Sequence, residues 1–198
     1  MEFTVKDIQR LREETGAGPL DCKKALTDAA SFEEAVKTLA KKTQQRADKL
    51  KAEERETRQG YIAAYTHFNG NLGVLVEVNC STDFVSRNDE FRTLANELAL
   101  QVAALDPKYI SFDEIPAEAV EKVRQEVLDD PEVQKRPANI QAQIVEGRVR
   151  KEFEPLALLT QPWFKDEKVK IGDMINELIR KTGENIVVRR FVRFKLGE

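Results

Sequence analysis

The chain has 198 residues, 41% of them apolar and 34% charged, with a net charge of −3. That is enough for one medium domain, or a small domain and a larger one, with a folded and heavily charged surface. The acidic balance argues against a protein that wraps nucleic acid, and no apolar run approaches the roughly 20 residues that span a bilayer.

The first 40 residues read as three short helices. Thr4 with Asp7 resembles a capping box ahead of Ile8 and Leu11. The run Thr15-Gly16-Ala17-Gly18-Pro19 breaks that helix, because glycine admits unusual φ angles and proline favours a helix start. A second helix follows through Leu20, Lys23, Lys24, Ala25 and Leu26. Ser31 and Glu34 form a further capping box for a third, with Phe32, Ala35, Val36 and Leu39 inward. Three helices in this length make a small recognition module, near the lower limit of independent stability.

From Lys41 to Arg58 there are seven basic and four acidic residues, with Leu50 the only large apolar side chain. With no stripe to bury, this stretch is either a solvated helix or a flexible linker, and it marks a domain boundary. The expected domains are therefore 1–40, 41–58 and 59–198. Tyr61–Phe68 and Leu72–Cys80 are β-rich runs joined by Asn69-Gly70-Asn71, a hairpin turn sequence. Leu72, Val74, Val76, Val78 and Cys80 share one face of the second strand.

Thr82-Asp83-Phe84-Val85 then leads into a helix where Phe91, Leu94, Ala95, Leu98, Val102 and Leu105 recur at helical spacing, with Asn88 as N-cap and Pro107 just past the end. Pro116 opens another helix with Val120, Val123 and Val127 inward, and a further one runs through Ile140, Ile144, Val145 and Val149. Residues 154–168 read as irregular, held by Trp163 and Phe164. Ile171, Met174, Ile175, Leu178 and Ile179 form the last helical stripe, which Gly183 stops. Asn185 to Phe194 is a strand with apolar residues on both faces, which predicts cover on each side by helices or a second subunit. The core is accordingly α+β, with a hairpin, then helices, then a third strand added to the same sheet.

Candidate chemistry is sparse. Cys22 and Cys80 are isolated, which excludes a CxxC redox site, and the single His67 lies in no readable catalytic or metal motif. There is no Gly-rich phosphate loop and no GxSxG, so neither a cofactor nor an enzyme activity is expected. The N-terminus is charged and amphipathic, unlike a signal peptide, so the expected location is the cytosol. Arg189, Arg190, Arg193 and Lys195 fit strand-end charges paired with nearby carboxylates better than a phosphate site. The corner at Thr82-Asp83-Phe84-Val85 supports two readings. Phe84 and Val85 either both enter the core, or the turn presents Asp83 and Phe84 outward as a rigid anchor. The composition as a whole favours a protein that grips another protein.

Three segments add a resemblance. Leu11-Arg12-Glu13-Glu14-Thr15-Gly16-Ala17-Gly18-Pro19-Leu20-Asp21-Cys22-Lys23-Lys24-Ala25-Leu26 resembles the N-terminal signature of the elongation factor Ts family. Glu77-Val78-Asn79-Cys80-Ser81-Thr82-Asp83-Phe84-Val85-Ser86-Arg87 is similar to its second signature, and Gly183-Glu184-Asn185-Ile186-Val187-Val188-Arg189-Arg190-Phe191 to its closing segment. They occur in family order across nearly the whole chain. The resemblance implies a guanine nucleotide exchange factor for elongation factor Tu, without covalent chemistry. It implies a three-helix ubiquitin-associated-like module that docks through Arg12, Leu20 and Lys23. It also implies a corner of Thr82, Asp83, Phe84 and Val85 that disturbs the partner's magnesium site, with Asp83 and Phe84 at its tip. Two places depart from the pattern: Pro19-Leu20 replaces a common pair of methionines, and Ser81 a usual Gln or Glu. The length resembles the compact, single-core form, which implies a homodimer through the core sheet. An adaptor that exchanges no nucleotide would leave the corner without a role, and an RNA-binding protein built on the arginines is opposed by the acidic pI.

Overall fold

The computed structural model describes residues 3–15, 17–52 and 57–198. Gly16 of the predicted helix break and residues 53–56 of the predicted linker lie outside the described residues. The chain divides into two compact units that alternate along the sequence: residues 1–62, 77–95 and 174–189 form one, and 63–76, 96–173 and 190–198 the other.

Three helices open the first unit: α1 (Val5–Thr15), α2 (Pro19–Asp28) and α3 (Phe32–Ala52). Their ends are built by short-range hydrogen bonds. The Thr4 N–H donates to Asp7 Oδ2 at 2.7 Å, and the Asp7 N–H returns to Thr4 Oγ1 at 3.4 Å. Pro19 takes the first position of α2, where a missing N–H costs nothing. At the third helix the Glu34 N–H donates to Ser31 Oγ at 3.2 Å, while the Glu34 carboxylate accepts from Ala30 N–H at 2.9 Å, one residue beyond the usual box partner. Leu11, Cys22, Leu26, Ala35 and Leu39 are buried as a local core, with Ile8, Phe32 and Val36 packed against it. The α3 helix continues to Ala52, so over that length the charged stretch takes the helical alternative. Residues 40–52 contain neither glycine nor proline, and Lys, Gln, Arg, Ala and Leu are all good helix formers.

The core begins with a hairpin of β1 (Gln59–Thr66) and β2 (Leu72–Cys80). Gly70, at φ +72°, supplies the left-handed turn residue. Phe68 lies in the turn instead of the strand and is 92% exposed. Val74, Val76, Val78 and Cys80 are buried along one face of β2. After the short helix α4 (Asp83–Ser86) comes α5 (Asp89–Leu105), which buries Phe91, Leu94, Ala95, Leu98 and Val102 at helical spacing. Asn88 caps it by accepting from the Glu90 N–H at 2.7 Å.

In the second unit, α6 (Ala117–Leu128), α7 (Pro131–Gln134) and α8 (Ala138–Phe153) form a helical subassembly. It is centred on Ile115, Val145, Val149, Phe153 and Ala157, with Phe112 edge-on to Phe153 at 6.3 Å. The stretch expected to be irregular differs from expectation. Two 3-10 turns lead into a second, two-stranded antiparallel sheet of β3 (Pro162–Trp163) and β4 (Asp166–Lys170). Gln101 of α5 ties down its start. The buried Gln101 amide donates to Gln161 Oε1 and Pro162 O, both at 3.0 Å, and accepts from the Phe164 N–H at 3.0 Å.

Helix α9 (Ile171–Thr182) buries Ile171, Ile175, Leu178 and Ile179, leaves Met174 half-buried, and ends at Gly183 with φ +70°. The final strand, β5 (Ile186–Lys195), joins β2, giving an antiparallel sheet of order β1-β2-β5 in an α+β chain. Ile186 and Val188 are buried, whereas Val187 on the opposite face, Val192 and Phe194 further along, and Leu196 just beyond the strand are exposed, so the strand is not covered on both faces along its length within the chain. Two of the strand-end charges pair with carboxylates: Arg193 with Glu198 at 2.9 Å and Asp106 at 3.6 Å, and Lys195 with Glu198 at 2.9 Å.

Candidate functional site

Where β2 ends, Cys80, Ser81 and Thr82 turn the chain into α4, and this corner divides its side chains sharply. Val85 is buried at 8% exposure and Phe84 stands out at 83%. Of the two readings open on composition, the corner therefore takes the outward one for Phe84, while Val85 alone enters the core. Thr82 is the N-cap, in extended backbone, and its Oγ1 accepts from the Val85 N–H at 3.5 Å. Its carbonyl accepts from the Ser86 N–H at 3.3 Å and from the Cys80 thiol at 3.2 Å. The Ser86 hydroxyl donates to Asp83 O at 2.9 Å, closing the single helical turn. Asp83 pairs with Arg87 at 3.2 Å on the outer face. Arg92 donates to Ser86 O at 3.4 Å and lies over the Tyr61 ring at 5.5 Å.

Burial dominates the electrostatics beneath the corner. The Cys80 thiol is pushed up to about 11, first by burial and then by the negative charge of Glu184. It stays a neutral S–H at ordinary pH, a poor nucleophile or metal ligand. Among the described residues no group of His, Cys, Asp and Glu is placed to hold a metal ion. His67 is occupied at the far end of the hairpin, with its Nδ1 2.8 Å from the Tyr65 hydroxyl and its ring 4.5 Å from Phe68.

An open cleft of about 830 Å³ runs beside the corner, lined by Gln9, Arg12 and Glu13 of α1, by Phe84, Val85, Asn88 and Glu90, and by Lys181 and Thr182. It brings together two expected site residues, Arg12 and Phe84, that lie 72 positions apart in the chain. Leu20 and Lys23 do not line it. They are exposed on α2, Leu20 at 83%. Lys181 bonds to Glu177 at 3.2 Å and Glu90 at 3.5 Å, and both carboxylates hold its ammonium pKa above the usual lysine range.

The family model described as Elongation factor TS matches residues 5–198. The chain belongs to the elongation factor Ts family. The elongation factor Ts of Thermotoga petrophila is 49% identical over 199 aligned positions, covering 100% of this chain and 98% of that protein. That of Thermotoga maritima has the same identity and coverage, and that of Thermotoga neapolitana is 47% identical over 100% of this chain and 99% of the relative. The matches to elongation factor Ts proteins thus extend over α1, the Thr82–Val85 corner and the Gly183–Phe191 segment alike. Sequence reasoning passed over two groups that build this site. Lys181 carried no signal beyond being a helix-end cation, and Glu184 lay inside a matched segment with no role of its own.

Proposed function

We propose that this protein is a guanine nucleotide exchange factor. It binds elongation factor Tu in its GDP form, disturbs the magnesium and phosphate site of that GTPase, and promotes GDP release during translation elongation in the cytoplasm. Family membership supports the general role, and the observation that carries the mechanism is Phe84. An aromatic ring 83% exposed, on a corner whose neighbouring groups are tied down, is a poor solution for folding and a good one for binding. Its rigid mounting lowers the entropy lost on association.

Mg²⁺ demands near-octahedral oxygen coordination and bridges nucleotide phosphates to protein ligands. A ring wedged beside that site, with the Asp83 carboxylate next to it, shifts the elements that position the ion. GDP then loses the charge neutralising its phosphates. Linkage requires the converse, so nucleotide weakens the factor's binding by the same factor, and fresh nucleotide expels it. No bond in this protein is made or broken, and it needs no cofactor of its own.

In this assignment residues 1–40 dock on the partner's GTPase domain through Arg12, Leu20 and Lys23, 41–58 serve as linker, and 59–198 form the core. The Arg12 side of α1 shares a cleft with Phe84, which supports one partner touching both. The same reading makes the protein a homodimer through the core sheet, supported by the exposed Val192, Phe194 and Leu196 at the end of β5. It assigns no contact with nucleic acid or membrane. Among the described residues no helix is long and apolar enough to cross a bilayer.

The test is release of fluorescent GDP from elongation factor Tu, comparing wild type with Phe84→Ala. Wild type is expected to accelerate release in a Mg²⁺-sensitive way, and the variant to lose at least about tenfold, as for a buried aromatic anchor. Equal acceleration by both would move the work away from Phe84. No acceleration by wild type would reduce the protein to an adaptor.

A further inference from the structure

Phe84 is 83% exposed, so its direction is set chiefly by the backbone on either side. On one side Val85 is anchored in the core. On the other, every polar group of Thr82 is engaged, and the strongest engagement comes from far along the chain. Glu184 Oε2 accepts from the Thr82 N–H at 3.0 Å, and Glu184 Oε1 accepts from the Thr82 hydroxyl at 2.6 Å. One carboxylate therefore fixes both the backbone and the rotamer of the residue that caps α4. Since that hydroxyl donates to Glu184, its lone pairs remain free to accept from the Val85 N–H. Charge-assisted pairs of this kind are roughly twice as strong as neutral ones.

The carboxylate is itself mounted firmly. Gly183, at φ +70°, ends α9 in the left-handed conformation and donates its N–H to Ile179 O at 2.8 Å. The Glu184 N–H donates to Thr182 Oγ1 at 3.3 Å, and the Thr182 hydroxyl donates to Leu178 O at 2.8 Å. Two residues further on, Ile186 enters the buried start of β5. The side chain thus projects from a helix end that is locked on both sides.

We propose that Glu184 is a positioning residue for nucleotide exchange. By gripping Thr82 it holds the α4 corner in the one conformation that presents Phe84 and Asp83 to the partner. The assignment rests on the exchange reading above. Glu184 touches no substrate. It acts through Thr82, converting a mobile strand-to-helix turn into a preorganised wedge, so its loss shows as slower release of GDP by the bound factor more than as weaker docking.

The experiment combines GDP release at increasing factor concentration with amide hydrogen exchange, on Glu184→Ala, Glu184→Gln, Phe84→Ala and the Phe84→Ala/Glu184→Ala double variant. Glu184→Ala is expected to lower the maximal release rate about tenfold, equivalent to about 1.4 kcal/mol, while the half-saturating concentration changes less than threefold. Glutamine keeps one acceptor for the Thr82 N–H and offers an N–H to the hydroxyl, so Glu184→Gln recovers most of the rate. In the Phe84→Ala background the second substitution adds little. Thr82–Val85 amides exchange faster in Glu184→Ala, while those of α5 do not. Full activity of Glu184→Ala, an effect that adds in full to Phe84→Ala, or a loss in docking alone overturns the proposal. If wild type itself fails to release GDP, the exchange reading falls. The amide measurement still judges the clamp, and unchanged protection at Thr82–Val85 would refute it.

Discussion

At the scale of single residues, the corner shows one threonine serving as a junction. Thr82 accepts from Val85, Ser86 and Cys80 and donates twice to Glu184; two of these five bonds run through its hydroxyl and three through its main chain, so Thr82→Val would remove only the two. The Cys80 thiol beneath it gives a pH signature. Its folded pKa is raised from the ordinary 9.0 to about 11, so between those values the unfolded chain loses a proton that the folded chain keeps. Stability is then unaffected below about pH 9 and falls as pH rises toward about 11, because the native state binds more protons across that window. Denaturant titrations from pH 8 to pH 11 are expected to show this fall, and Cys80→Ala to flatten part of it. A further part belongs to Cys22, whose buried thiol is also raised, chiefly by desolvation. A profile for Cys80→Ala identical to wild type would show that the thiol does not titrate in this way.

At the scale of elements, what could be read in the sequence was whatever local spacing decides. The caps at Thr4, Ser31 and Asn88, the hairpin turn at Gly70 and the stops at Gly18-Pro19 and Gly183 are each set within a few residues, and all are present. The β3–β4 pair was not legible, because Asp166-Glu167-Lys168-Val169-Lys170 shows no apolar alternation. Its placement comes from Gln101, some 60 residues away in sequence. Phe84 and Val85 were ambiguous for a related reason, since adjacent apolar residues in a short turn have no period to sort them. The hairpin carries a prediction of its own. A Cβ at Gly60 would stand 2.3 Å from Val78 O and 2.7 Å from Asn79 Oδ1, whereas one at Gly73 would meet nothing within 4 Å. Gly60→Ala is therefore expected to destabilise by about 1–3 kcal/mol, as overpacking does. Gly73→Ala is expected to be near neutral. Equal unfolding midpoints for Gly60→Ala and wild type would mean that β1 shifts away at no cost.

At the scale of the whole molecule, several large apolar side chains on and beside the core sheet are exposed. Phe68, Phe194 and Leu196 are 92%, 71% and 73% exposed, with Leu75 and Val192 less so, and the Leu196 N–H donates to Asn71 O at 2.9 Å where the end of β5 meets the start of β2. Exposed apolar surface is what the proposed homodimer would cover. A dimeric mass by light scattering at micromolar concentration is expected for wild type, and a monomeric mass for Phe194→Asp. A monomeric wild type would refute pairing through the sheet. What covers the exposed residues of β5 could not be assigned from composition, since helices and a second copy demand the same apolar pattern.

The two parts that the exchange reading needs differ greatly in how far the chain must search to build them. The three-helix core closes between residues 3 and 39, whereas the clamp joins Thr82 to Glu184 across 102 positions. Contacts local in sequence form early, and those closing long loops form late. A freshly made or partly melted molecule would then possess its docking face before its wedge. In the proposed exchange role, such a species would dock without freeing GDP, an inhibitor made from the same chain as the activator, until the last strand settles.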